Sequence, residues 1–363
     1  MENKIVFNKS SVDNRDYLEL RRRIKRAIKM LPNSRILIKP ILAFALPLLY
    51  LLLYFAALSS IANPMLFVTL YGLMGVLSVI IFISLIHDCV HNNVFRKAIN
   101  NKRFLIVFDL MGGNSFVWKK RHLLMHHNYQ NIAGWDSDIE QAGLLKIFPQ
   151  DKLNKINKYQ HIWIFLLYPL FLFNWIFIRD FKDFFSKRRL IRKVFILPKM
   201  EYVKLFVFKF LFLFYILIVP MLIGASLWLS FWALSILLIT GSVCAMVSLL
   251  TPHVNSKNEF PIPNESGELN ISWFQHQFLT TNDIRLNNWF SRNIMGNFNF
   301  HLAHHLFPTV SSVYAPEVTA VIRDFAKEKD IEYRAYGFFE SLGYHYDLVK
   351  ANALDINVFE EDM

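Results

Sequence analysis

The chain has 363 residues, of which 54% are hydrophobic and 16% aromatic, and it carries a net charge of +12. Charged residues make up 19% of it, below the roughly 25% of an ordinary soluble domain, and their uneven placement excludes a soluble globule. Only two cysteines occur, Cys89 and Cys244, which excludes a disulfide framework.

The first 39 residues hold eleven Lys and Arg against four acids. They lack an early apolar core and a small-residue cleavage site, so no cleaved signal peptide is expected. Residues 40–86 then run for 47 positions without Asp, Glu, Lys or Arg. A bilayer-spanning helix takes roughly 20 apolar residues, so this run predicts two spans, roughly 40–62 and 64–87, joined at Asn63 and Pro64. Where the second span ends, "HDCVH" places His87 and His91 four residues apart. A second box, "HLLMHH", holds His122, His126 and His127.

The apolar stretch 161–178 is just long enough to cross a bilayer. Crossing would put the basic segment 179–193 outside, against the positive-inside tendency. Its Pro169, Asn174 and two Trp suit the interface, so it is expected to lie on the cytoplasmic leaflet. Residues 210–256 are another 47 positions without a charge; spans are expected at roughly 204–223 and 227–250, with a turn at 220–225. A third box, "HLAHH", holds His301, His304 and His305, and Pro316 with Glu317 opens an amphipathic helix through Val318, Val321, Ile322 and Phe325.

The expected fold is therefore an all-α integral membrane protein. It has four transmembrane helices in two hairpins and a cytoplasmic helical domain that holds a di-metal centre. Residues 1–39 form a basic cytoplasmic segment and 40–87 the first hairpin. Residues 88–203 carry boxes one and two with the interfacial helix, 204–250 form the second hairpin, and 251–363 carry box three and C-terminal helices. Both termini and the metal site are then cytoplasmic. Eight basic residues between positions 179 and 199 add to a surplus that orients the chain and touches anionic lipid. No nucleic-acid motif occurs, and no nucleic-acid partner is expected.

The three boxes total 16 residues and hold eight of the twelve histidines. Two imidazoles four residues apart on a helix face one centre. Eight are too many for one zinc, which takes three or four protein ligands, and suit two metal ions. Imidazole alone does not select among iron, copper, nickel and zinc. A zinc protease is disfavoured, because its motif needs a glutamate after the first histidine, where Asp88 and Leu123 stand. A metal transporter would place ligands inside the spans, whereas these boxes lie at span ends and beyond.

With "HDCVH", "HLLMHH" and "HLAHHLFP" in this order, and with flanking text at 109–139 and 272–290, residues 40–345 resemble the membrane fatty acid desaturases, in their acyl-CoA and front-end (linoleoyl-CoA-type) branch. The resemblance implies two iron ions held by His87, His91, His122, His126, His127, His301, His304 and His305. It adds His253 after the last span as a further ligand. His276 and Asp88 are further candidates, as a ligand and as an acid orienting an imidazole; Asp136 and Asp138 are read as orienting acids or solvated ones, and His161 and His345 as structural. No catalytic residue beyond the metal centre is implied. The implied reaction is O2-dependent removal of two hydrogens from an acyl chain on CoA, acyl carrier protein or lipid. No HPGG motif of a fused cytochrome b5 occurs, so electrons are expected from a separate ferredoxin or cytochrome b5. Box three departs from the front-end pattern, which has glutamine at position 301 and glutamate at 303. His301 and Ala303 are closer to methyl-end desaturases and leave regiochemistry and the place of His301 open. A hydroxylase or ketolase of the same superfamily acting on a lipid is the alternative.

Overall fold

The computed structural model describes residues 4–139 and 145–354. Five helices are long and apolar enough to cross a membrane: Asn33–Ser59, Pro64–Val90, Lys155–Val194, Lys199–Leu222 and Leu227–Leu249. Four of them cover the stretches expected to span. The other contains 161–178 and is interrupted by a 3-10 turn at Tyr168–Leu170, a π turn at Trp175–Arg179 and a non-helical turn at 186–189. Pro169 accounts for the first break, because its ring removes a donor and crowds the preceding turn. Between the first two apolar helices, Asn63 Oδ1 accepts the Leu66 N–H at 3.1 Å and Pro64 takes the first helical position, a standard helix start. Between the last two, Gly224 adopts φ +114°, which a side chain would resist.

The chain divides into two compact units. One comprises residues 36–119 and 165–248 and holds most of the apolar helices. Inside it, Gly75 lies so close to the Leu237 carbonyl that a Cβ would stand 2.1 Å from it, and Thr240 donates to the Gly72 carbonyl at 2.8 Å. Small residues let these two helices pack backbone to backbone. Several polar groups within the apolar helices are paired, as a membrane setting favours. Tyr54 and Tyr71 donate to the carbonyls of Tyr215 and Ile216, in the π turn Phe214–Ile218. Lys209 meets Asp180 at 2.6 Å, both buried.

The other unit comprises residues 1–35, 120–164 and 249–363. It is held by two short parallel strand pairs, Val6–Phe7 with Glu268–Leu269 and Asp283–Ile284 with Ala335–Tyr336. Its core joins the N-terminal helix Ser11–Lys29 to the helices Trp273–Thr280, His301–Leu306 and Ala315–Glu328. Leu20 and Ile24 pack with Phe274, Leu302, Phe307, Ile322 and Phe325. The basic N-terminal segment is thus a structural part of this unit. Arg23 pairs with Glu19 and Glu328, and Arg35 with Glu317.

Candidate metal centre

Box two is wound as a π turn over His122–His126. The ligand atoms of His122 and His126, four apart, lie with one of Asp138 within 4.8 Å of one another. The wider winding adds a third ring: His127 Nε2 lies 3.1 Å from His122 Nε2, five residues on, the spacing a π turn superimposes. The box-three helix His301–Leu306 splits its ligands. His304 Nε2 reaches His127 Nε2 at 3.0 Å, whereas His301 and His305 meet each other at 3.1 Å. His253, in the turn after the last apolar helix, completes a triangle. Its Nε2 is 2.8 Å from that of His301 and 3.0 Å from that of His305. His126 joins these three in one group whose nitrogens lie within 4.8 Å of one another.

The triangle cannot be three hydrogen bonds. An imidazole Nε2 is either a donor or an acceptor. Among three mutual neighbours at least two are alike, and that pair repels unless something electron-poor lies between them. The protons are also held elsewhere. His122 Nδ1 faces Asp138 at 3.0 Å, His126 Nδ1 faces Asp136 at 3.0 Å, and His253 Nδ1 faces the Thr280 carbonyl at 3.0 Å. Ionised carboxylates and carbonyls only accept, so these Nδ1 atoms carry the protons and each Nε2 presents a lone pair inward. This is how protein imidazoles are oriented toward metals. The donor set therefore fits a metal.

Electrostatics agree. Burial holds His253 down to about 3, helped by the neighbouring His126, and places His305 well below the usual imidazole range, helped by His127. These rings stay neutral at physiological pH and keep their lone pairs. Burial also pulls on His126, but the Asp136 carboxylate outweighs it and the net shift is upward. Burial pushes Asp136 and Asp138 up, yet both end below the usual carboxylate range, Asp136 through His126 and Asp138 through Arg121 and His122. Arg121, among the largest fully buried side chains, meets Asp138 at 2.9 Å.

His276 is also fully buried, with its ring 5.1 Å from that of Phe7. It belongs to none of the metal-capable groups found among the described residues. Burial lowers it to about 3 against the opposing pull of Asp136. In the other unit, His87 and His91 are buried at the end of Pro64–Val90, with ring centroids 5.3 Å apart. Asp88 meets the buried Lys39 at 3.0 Å and His87 Nδ1 at 3.8 Å, and Lys39 also donates to the Ser84 carbonyl at 2.7 Å. His345 belongs to none of the metal-capable groups found among the described residues, and its Nδ1 donates to the Val254 carbonyl at 2.6 Å.

Sequence spacing does not point to Lys39, Arg121, Gln130, Gln277 or Asp283. Asp283 Oδ1 accepts the Leu302 N–H at 2.8 Å and its other oxygen accepts the Tyr333 hydroxyl at 2.7 Å, which pins the start of the box-three helix. A polar residue buried beside a metal box is a clue only once the fold is in hand.

A family model for fatty acid desaturases matches residues 60–337. The "sn-1 linoleoyl-lipid 6-desaturase" of Synechocystis sp. is 29% identical over 70% of this chain and 71% of its own length. The namesake in Arthrospira platensis is 27% identical, over 74% and 73%. The "Acyl-lipid (8-3)-desaturase" of Physcomitrium patens is 29% identical over 76% of this chain but 58% of that enzyme. With the family match spanning most of the chain and all three boxes in place, the chain belongs to the fatty acid desaturase family, oxidoreductases that act on fatty acyl chains.

Proposed function

We propose that the chain desaturates an acyl chain carried by a lipid, using O2 and two electrons from a separate ferredoxin or cytochrome b5. The names of the cyanobacterial and moss relatives favour the lipid carrier over CoA. The balanced reaction takes one hydrogen from each of two adjacent CH2 groups and combines these with O2, two electrons and two protons to give a C=C bond and two waters. An unactivated C–H bond offers no acid or base handle, so the oxidising power is supplied by the bound metal and O2 while the protein supplies position.

The ligand set is His87, His91, His122, His126, His127, His253, His301, His304 and His305, holding two irons. The observation that carries this reading is the His253–His301–His305 triangle with edges of 2.8, 3.0 and 3.1 Å. These three residues would hold a metal ion through their Nε2 lone pairs, and the ion would supply the oxidising chemistry with O2. Asp136 and Asp138 hold the ring protons of His126 and His122 on Nδ1. The apolar helices give the acyl chain an environment in which each buried CH2 is worth about 0.8 kcal/mol. We further propose four spans, with Lys155–Val194 lying along the cytoplasmic interface and the termini and metal centre on that side. The basic residues at both ends of this segment support that orientation.

The test is metal content and product. Purified protein is expected to hold close to two irons per chain, falling sharply in a His304→Ala/His305→Ala variant. Lipids from cells expressing the protein should gain acyl chains lighter by two mass units. A gain of sixteen would instead identify a hydroxylase, and one zinc per chain, indifferent to the variant, would end the di-iron assignment.

A further inference from the structure

The histidines of this unit are not all backed alike. Behind His122 and His126 stand carboxylates, and behind His253 a carbonyl. Behind His305 stands a side-chain amide: Gln130 Nε2 lies 3.2 Å from His305 Nδ1. Gln130 is hydrogen-bonded in turn to Gln277, the neighbour of His276 on the Trp273–Thr280 helix. Gln130 and Gln277 are wholly buried and His305 nearly so. Two long polar side chains are thus spent on one imidazole nitrogen inside a core.

The two heads of an amide have the same shape, so each glutamine seats either way round. With Nε2 toward the ring, Gln130 donates to Nδ1, and the ring proton must sit on Nε2, facing His253 and His301. In that form His305 cannot ligate through Nε2. Gln130 Oε1 and Gln277 Nε2 then have no hydrogen-bond partner. With both amides turned over, Gln277 Nε2 donates to Gln130 Oε1, which also accepts the Nδ1–H of His305. Both contacts survive, and the Nε2 lone pair turns to the centre, as it does for His122, His126 and His253.

We propose that Gln130, braced by Gln277, is the positioning residue for His305: its Oε1 accepts the Nδ1–H and so aims Nε2 at the metal. This rests on the metal-centre reading above. A neutral amide polarises the ring less than the carboxylates behind His122 and His126 do. A glutamate at position 130 would keep the acceptor and strengthen it, whereas a leucine would remove it.

The test uses the full chain in detergent, stripped with a chelator and titrated with cobalt(II), whose visible absorption reports its ligands. Gln130→Leu is expected to weaken cobalt binding about 10- to 100-fold, as loss of an orienting partner does, with an altered spectrum. Gln277→Leu should show a smaller loss, and Gln130→Glu should bind about as tightly as wild type. Wild-type affinity in Gln130→Leu, or a loss in Gln130→Glu as large as in Gln130→Leu, overturns the proposal. If Gln130→Leu does not fold, Gln130→Glu must still bind more tightly than Gln277→Leu, and the reverse order overturns it equally. A His253→Ala/His305→Ala variant separates the two readings. If it binds cobalt as wild type does, the metal centre itself is wrong and the role of Gln130 falls with it; if it does not, the glutamine variants judge Gln130 alone.

Discussion

His122, His126 and His253 turn Nε2 inward because of what holds their other nitrogen. Asp138 sits between His122 Nδ1 and Arg121, so Asp138→Asn weakens both contacts without emptying the space. Iron content measured after dialysis against a graded chelator series should show affinity lower by about 10- to 100-fold, with little change in the melting temperature of the stripped protein. Wild-type retention of iron would show that Asp138 serves Arg121 alone. A second residue-scale effect concerns pH. Burial lowers His345 from 6.5 to about 4, partly opposed by the Val254 carbonyl. The folded state then binds fewer protons than the unfolded one between these values. Its contribution is fully present above pH 6.5 and is lost as pH falls toward 4, by up to about 3 kcal/mol. His345→Asn keeps a donor for Val254 without the titration. Its melting temperature should fall less than that of wild type between pH 7 and pH 5, and parallel curves would refute the assignment.

Among the elements, the box-three helix is the one whose placement depends most on distant residues. It has six residues, too few to be stable alone. Asp283 ties its start to Tyr333, and the Asp283–Ile284 strand pairs with Ala335–Tyr336. Asp283→Ala strands a buried N–H and a hydroxyl, at about 1–3 kcal/mol for each group left unpaired. The expected result is a lower melting temperature together with loss of metal. Asp283→Asn, which can still accept from Leu302, should lie between the two. Metal content unaffected by Asp283→Ala would mean that the helix is held by its apolar face alone. The π turn of box two carries the complementary lesson. The spacing of "HLLMHH" predicts His122 with His126, which do lie together, and the winding brings His127 against His122 as well.

For the whole molecule, the unit bearing boxes two and three is assembled from three separated parts of the chain. Its core includes the N-terminal helix: Leu20 and Ile24 are fully buried against Phe274, Leu302 and Phe307. Leu20→Ala should therefore cost about 2–5 kcal/mol and lower the thermal midpoint of the unit, although Leu20 lies far in sequence from every histidine. A midpoint unchanged by that substitution would show the helix to be a dispensable attachment.

The sequence alone determined what local geometry and bulk chemistry dictate. Two runs of 47 uncharged residues require apolar helices, whose ends fall close to Asn63, Pro64 and 220–225. The box spacing marks the histidines as a set, because side chains three or four residues apart on a helix share a face whatever the rest of the chain does. Tertiary structure alone decided which histidines meet. His253 converges with His126, His301 and His305, while His276, equally buried, does not. The partners Asp283, Gln130 and Gln277 are polar residues with no periodic signature. Their roles come from the packing of separate segments, 19 and 50 residues apart for Asp283 and 147 and 175 for Gln130, and from the cost of burying a polar group without a partner. A local pattern does not carry that information.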